Sequence, residues 1–468
     1  MKTSNASIPR GGICVVESVA QKVPTTTNFQ TLIVDSDIGA NPHVMDEYCF
    51  TAPDAFTHDF LMVVAATASA DRHVMRRMSR GWERSIDVTV PVFQPRRWRS
   101  KEVVSSLCEM LGYLTGDQWN FSFTKRKKSI PSFGQIVPLP LDSKRNYAFI
   151  PYSHGLDSYA QRQIVLSNNP DLDVVCVYAD SGRQTNDLKA LMRDKSDRRV
   201  RPLKVPILLK PPHSGERTYR TRPFIYYSLA AYSSWRAGVS RVIIPENGQG
   251  SLGGSLVPLG HEAPHRSCHP GFTSRLAALF KTLTDATIEF SHPALFDTKA
   301  EVLRKLLAIE SNSAGWMSEH RSCSHGNRHA YHEGRSVHCG VCGNCILRRS
   351  AAIVAPVNDS TIYKFDKLCA TELGNALIQG ADKPMAMSAL EDLASNGIRS
   401  MQRLADLARK PDAIEIWSES AELSEHLRLD VAATREKLLR FLNQHADEWN
   451  TFLLSCGASS WVNAMAKG

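Results

Sequence analysis

Residues 323–345 read CSHGNRHAYHEGRSVHCGVCGNC. Cys339, Cys342 and Cys345 follow one another at intervals of three, with Cys323 upstream. Four soft thiolates suffice to close a tetrahedral zinc site, and a site with no open position is structural rather than catalytic. His325, His329, His332 and His338 lie in the same stretch, each an alternative to Cys323 as the fourth ligand. His338 could instead buttress a ligand from behind. A metal-free cluster of buried cysteines is the plain alternative.

The second constellation is YAFIPYSHGLDSYAQRQIV, residues 147–165. An apolar run enters Ser153-His154-Gly155-Leu156-Asp157-Ser158 and leaves as a helix. Ser153 and Ser158 offer hydroxyls, Gly155 permits close backbone approach, and the N–H groups opening the helix suit an anion such as phosphate. Asp157 is either the helix cap or a carboxylate that helps hold Mg²⁺ through water. Downstream, DVVCVYADSG ends in Asp180-Ser181-Gly182, read as a plain turn or as a seat for a nucleoside. Arg222 opens the helix in RTYRTRPFIYYSLAAY, where a guanidinium can fork onto phosphate oxygens.

These residues need elements to hold them. NYAFIP, DVVCVYAD, LKVPILLK and SRVIIPE read as strands, with helix-length segments at 157–168, 184–195 and 222–237. Strands alternating with helices predict an α/β domain built on a doubly wound parallel sheet over about 146–355, with a zinc-binding lobe at about 319–350. ATIEF at 286–290 is a further strand, and TKAEVLRKLLAIE an amphipathic helix. Residues 1–145 read as a separate α+β domain that ends in a Lys- and Pro-rich linker. Lys125–Lys128 within it is a solvated turn or a phosphate contact. Residues 356–468 read as helical, a cap on the core or a partner surface.

Ser153–Ser158 resembles the Ser-Gly-Gly-x-Asp-Ser turn of the PP-loop ATP pyrophosphatases, with His154 replacing the first glycine. Over about 146–355 the chain is similar to the QueC family, the 7-cyano-7-deazaguanine synthases. Arg222 matches a Gly-Arg-Asn helix start, and Asn247 in IIPENGQG matches the Asn of Gly-Val-Asn. SCHPGFTSRLAALF, Thr298–Glu301 as Thr-Lys-x-Glu, and the four cysteines complete the likeness. The loop GQGSLGGSLVPLGHEAPHRSC departs from the family pattern, the zinc insert is longer, and both flanking regions are additional.

The resemblance implies a PP-loop (HUP-like) fold and an AMP-forming, ATP-dependent C–N ligase. Ser153, His154, Gly155, Leu156, Asp157, Ser158, Asp180, Ser181 and Asn247 would bind ATP with Mg²⁺. Ser153, Asp157, Ser158 and Arg222 would serve catalysis, and Cys323, Cys339, Cys342 and Cys345 would hold Zn²⁺. The implied substrate is a 7-carboxy-7-deazaguanine-type carboxylate, adenylated and then captured by ammonia or by an amine on a protein. The extended architecture, with DQWNFSF, resembles the QueC-like components of bacterial Qat anti-phage systems. That implies partner proteins from a defence operon.

The net charge of +9 suits anionic ligands and leaves a nucleic-acid partner open, so a tRNA-modifying PP-loop enzyme is one rival. A nucleotide-binding protein without turnover is the other, because a Cβ at His154 can obstruct a phosphate. No apolar run of membrane-spanning length and no signal-peptide pattern occurs, and the odd count of 11 cysteines disfavours an exported disulfide protein. The expected setting is the cytoplasm.

Overall fold

The computed structural model describes residues 8–18, 29–40, 54–77, 79, 81–128, 141–142, 144–153, 155–180, 197–212, 215–324, 330–382 and 387–467. Strands β1 (Arg10–Val16), β2 (Phe29–Ile33) and β3 (Ile38–Ala40) precede helix α1 (Ala55–His73). Then come β4 (Ser85–Val92), α2 (Lys101–Thr115), β5 (Gln118–Lys125), β6 (Asn146–Pro151), α3 (Leu156–Asn168), β7 (Leu172–Asp180) and β8 (Val200–Leu209). The middle of the chain holds α4 (Arg222–Arg236), β9 (Arg241–Ile243), α5 (Gly248–Leu256), α6 (Pro270–Thr284), β10 (Glu289–Ser291), α7 (Lys299–Ile309) and α8 (Ser313–Glu319). A hairpin, β11 (Tyr331–His332) and β12 (Arg335–Ser336), leads to α9 (Gly343–Val354). Helices α10 (Met387–Leu407), α11 (Ile414–Leu427), α12 (Val431–Cys456) and α13 (Trp461–Lys467) finish the chain. The expected helix at 184–195 lies outside the described residues.

The chain divides into two compact units. The first comprises Met1–Ser153, Asn169–Ile244 and His261–His292. It carries two sheets, ordered β2-β1-β4-β5 and β10-β9-β6-β7-β8-β3. Every pairing in the first sheet is parallel. This corrects the α+β expectation for the N-terminal region: α1 and α2 lie in the connections that return the chain to the end of the sheet from which β4 and β5 start, as parallel pairing requires. In the second sheet only β3, antiparallel on β8, departs from parallel pairing.

Helix α1 packs on β1, β3, β4 and β8, strands drawn from both sheets. It has apolar neighbours all round, which is why the run FLMVVAATASA shows no polar stripe. Beside it, Arg84 is wholly buried between two carboxylates, with Nη2 2.6 Å from Asp71 Oδ1 and 2.7 Å from Asp117 Oδ2. Arg76 Nη1 reaches Asp117 Oδ1 at 2.7 Å. Each charge is paired and hydrogen-bonded, the condition for tolerating it in a core.

The second unit comprises His154–Asn168, Pro245–Gly260 and Pro293–Gly468. It is mainly helical. The apolar stripes read from the C-terminal sequence are its core: Leu390, Ala394 and Ile398 of α10 and Leu438, Phe441, Leu442, Trp449 and Phe452 of α12 are buried at spacings of three and four. Among the described residues no helix is long and apolar enough to cross a membrane.

Candidate functional site

In the six-stranded sheet the chain order reverses between β6 and β9. The chain leaving β6 enters Ser153–Ser158, and the chain leaving β9 enters Glu246 and Asn247. The first stretch opens α3 and the second opens α5.

Asn247 is the N-cap of α5, its Oδ1 accepting from Gly250 N at 3.2 Å. Its side-chain amide donates to Asp157 Oδ1 at 2.8 Å and to Glu246 Oε1 at 2.9 Å. Asp157 does not cap α3. It lies in the first turn, and both of its oxygens accept from Lys299 Nζ at 2.6 Å. Lys299 is 3 % exposed and Asp157 23 %. A carboxylate so engaged does not present itself as a direct Mg²⁺ ligand. Ser158 Oγ donates to Gly155 O at 2.9 Å, closing the first turn of α3.

Lys299 is held from several sides. It is the first residue of α7, after a capping box in which Thr298 accepts from Glu301 N and Glu301 accepts from Thr298 N. Lys299 N donates to Gln249 Oε1 at 2.8 Å. Helix α12 supports this arrangement: Glu448 accepts from Thr298 Oγ1 at 2.9 Å, Arg440 pairs with Glu301, and His445 Nδ1 lies 3.3 Å from Gln249 Nε2. A C-terminal helix without counterpart in the resemblance thus sets the ammonium that meets Asp157.

Burial and the neighbouring charge of Asp157 push the half-buried Glu246 carboxyl up to about 8, with Lys299 opposing. The folded value exceeds the ordinary 4.5, so this group's stabilisation is complete below 4.5 and is lost as pH rises through about 8. Wild type is expected to lose thermal stability across that window and Glu246→Gln to lose less, read as Tm against pH.

Other expected site residues lie in the first unit. Ser153 is exposed just beyond β6, and Asp180 ends β7. Arg222 is the exposed first residue of α4, its guanidinium 5.6 Å from the Tyr226 ring centre. Thr221, before it, donates through N and Oγ1 to Asp71 Oδ2 at 2.8 and 3.0 Å, so the N-terminal helix α1 anchors the start of α4. Gly155, Leu156, Asp157, Ser158 and Asn247 belong to the second unit. His154, Ser181, His325 and His329 lie outside the described residues. Lys299 and Glu246 are not singled out by spacing, although both sit inside quoted motifs. The Thr298/Glu301 capping box is the signal that marks Lys299 as fixed in place.

Also in the second unit, the sulfurs of Cys323, Cys339, Cys342 and Cys345 all lie within 4.8 Å of one another. Cys339 Sγ and Cys345 Sγ are 3.8 Å apart. Bonds of about 2.3 Å from one zinc to four thiolates put sulfurs about 3.8 Å apart, so the donor set fits the ion. Backbone N–H groups aim at the sulfurs as thiolates require: Cys339 N at Cys323 Sγ (3.4 Å), and Val341 N (3.5 Å) and Cys342 N (3.3 Å) at Cys339 Sγ. Hydrogen bonds among the sulfurs bring the Cys323 thiol down to about 7 and hold that of Cys342 far below its ordinary value, while they push the Cys339 and Cys345 thiols up. Gly340 turns the knuckle at φ +85°, with the position of its missing Cβ only 2.3 Å from Phe365 O, so no side chain fits. His338 is not a ligand. Its Nε2 accepts from Ser322 N at 3.2 Å, bracing the residue before Cys323.

Part of this chain is similar to 7-cyano-7-deazaguanine synthases. Identity to that of Ruegeria sp. (strain TM1040) is 32% over 98 residues, covering 20% of this chain and 37% of that protein. Identity to that of Hahella chejuensis (strain KCTC 2396) is 27% over 105 residues, covering 22% and 40%. The chain spans well under half the length of these curated relatives. No protein-family model matches it.

Proposed function

We propose that this protein is an ATP-using, AMP-forming C–N ligase of the QueC type, acting on a 7-carboxy-7-deazaguanine-like carboxylate through PP-loop chemistry. The observation that carries this is the Asp157–Lys299–Asn247 network, which joins three motifs of the resemblance in one cluster. The partial likeness to 7-cyano-7-deazaguanine synthases supports it.

ATP enters as its Mg²⁺ complex. Ser153, the N–H groups opening α3, and Arg222 bind the triphosphate, while Asp180 and Ser181 seat the nucleoside. The substrate carboxylate attacks the α-phosphorus, the bond to the β-phosphate bridge breaks, and pyrophosphate leaves. Two anions meet in that step, so cations and N–H donors rather than a strong base lower the barrier. Lys299, drawn tight by Asp157, is the buried cation of the cluster. An amine then attacks the acyl carbon, the C–N bond forms and AMP departs. Cys323, Cys339, Cys342 and Cys345 hold one structural zinc. The setting we infer is cytoplasmic anti-phage defence with operon-encoded partners, the amine borne by ammonia or by a protein.

Pyrophosphate release from ATP with 7-carboxy-7-deazaguanine tests this reading. Wild type should release it, and Asp157→Ala and Lys299→Ala should each lower the rate by about 10²–10³-fold, the range for losing one preorganised charge contact. No release from any of the three proteins would leave a nucleotide-binding role without turnover.

A further inference from the structure

Resting on that reading, we propose that Glu246 is the proton acceptor for the amine that captures the acyl-adenylate. Its placement carries the inference. Glu246 Oε1 is fixed by Asn247, through Nδ2 at 2.9 Å and the backbone N at 3.3 Å. Oε2 has no hydrogen-bond partner among the described residues. The same Asn247 amide binds Asp157, which ties the carboxyl to the cluster assigned to ATP.

Room for this carboxyl is built into the chain. A Cβ on Gly250 would lie 2.3 Å from Glu246 Oε1 and 2.4 Å from its Cδ, so the missing side chain in the first turn of α5 is what admits it. Among the described residues the charges acting on it are Asp157 on α3 and Lys299 on α7, which pair with each other, and the first turn of α5 contributes Gly248, Gln249 and Gly250. Glu246 is therefore the surplus acid. Burial beside Asp157 raises its proton affinity toward that useful at neutral pH.

The step balances. In its ionised form, populated as pH approaches about 8, the Glu246 carboxylate takes one proton from R–NH₃⁺, and the freed nitrogen attacks the acyl carbon. The C–N bond forms as the C–O bond to AMP breaks, AMP leaves with that electron pair, and the second N–H proton passes to solvent. An amine that is protonated at neutral pH needs this help. Hydroxylamine, already neutral there, does not.

The test uses the full chain with ATP and 7-carboxy-7-deazaguanine, offering methylamine and hydroxylamine in competition and reading both products by mass spectrometry. For Glu246→Gln the ratio of hydroxamate to methylamide should rise by about 10²–10⁴-fold, the range for one general base. Glu246→Asp should bring the ratio part of the way back. Gly250→Ala, whose Cβ displaces the carboxyl, should raise the ratio while keeping the acid in the chain. An unchanged ratio in Glu246→Gln overturns the role of Glu246 alone. Wild type that gives neither product and releases no pyrophosphate overturns the proposed function and this inference with it.

Discussion

Cys342→Ser is expected to abolish zinc retention and to unfold much of the lobe around it. Cys342 is 1 % exposed, and its cluster shares a core with Ile346, Phe365, Leu390, Trp449, Phe452 and Trp461. The ligands therefore belong to the same core as α10, α12 and α13. Apparent zinc-binding free energies of roughly 10–16 kcal/mol in small structural sites act as folding free energy, so losing one of four ligands forfeits a large part of it. Metal analysis should fall from about one zinc per chain to near none. Circular dichroism should show lost helix, and chelation of wild type should reproduce both changes. A variant that stays folded and zinc-free would show that packing alone sustains the lobe.

Arg84→Met is expected to destabilise the first unit by about 3–5 kcal/mol, the cost of breaking a buried ion pair from one side. Asp71 and Asp117 would keep their charges with Arg84 gone, and all three side chains are fully buried. Asp117 retains Arg76, whereas Asp71 loses the guanidinium it pairs with while still accepting from Thr221. The loss should appear as a lower denaturation midpoint with little change in the denaturant slope. Adding Asp71→Asn should recover part of it, because the amide still bonds Thr221 without an uncompensated charge. Since Thr221 precedes Arg222, the single variant should also weaken ATP binding.

Much of the architecture is legible locally. The strands at 146–151, 173–180 and 203–209 announce themselves as short β-branched runs between helix-length segments, and parallel pairing follows from that alternation. The N-terminal sheet is less legible because strand direction is a property of the connection, not of the strand. Arg10–Val16 and Ser85–Val92 would look the same in an antiparallel pair. Helix α1 carried the missing clue, since a helix buried along nearly its whole length must be covered on nearly every face.

The candidate site divides the same way. Cysteine spacing marks Cys339, Cys342 and Cys345 as donors to one site and leaves the fourth open between Cys323 and a histidine, whereas the fold places Cys323 with the other three sulfurs. Asp157 is visible as an acid at a helix start, but sequence cannot say whom it serves, and the ammonium it binds lies 142 residues away. Only the fold brings Lys299, Asn247 and Glu246 to it, because desolvation and charge pairing act through space between residues with no sequence relation. Residue types determined which acids, cations and thiols this chain has available. Tertiary structure decided which acid is paired with a lysine and which is held through one oxygen by an asparagine.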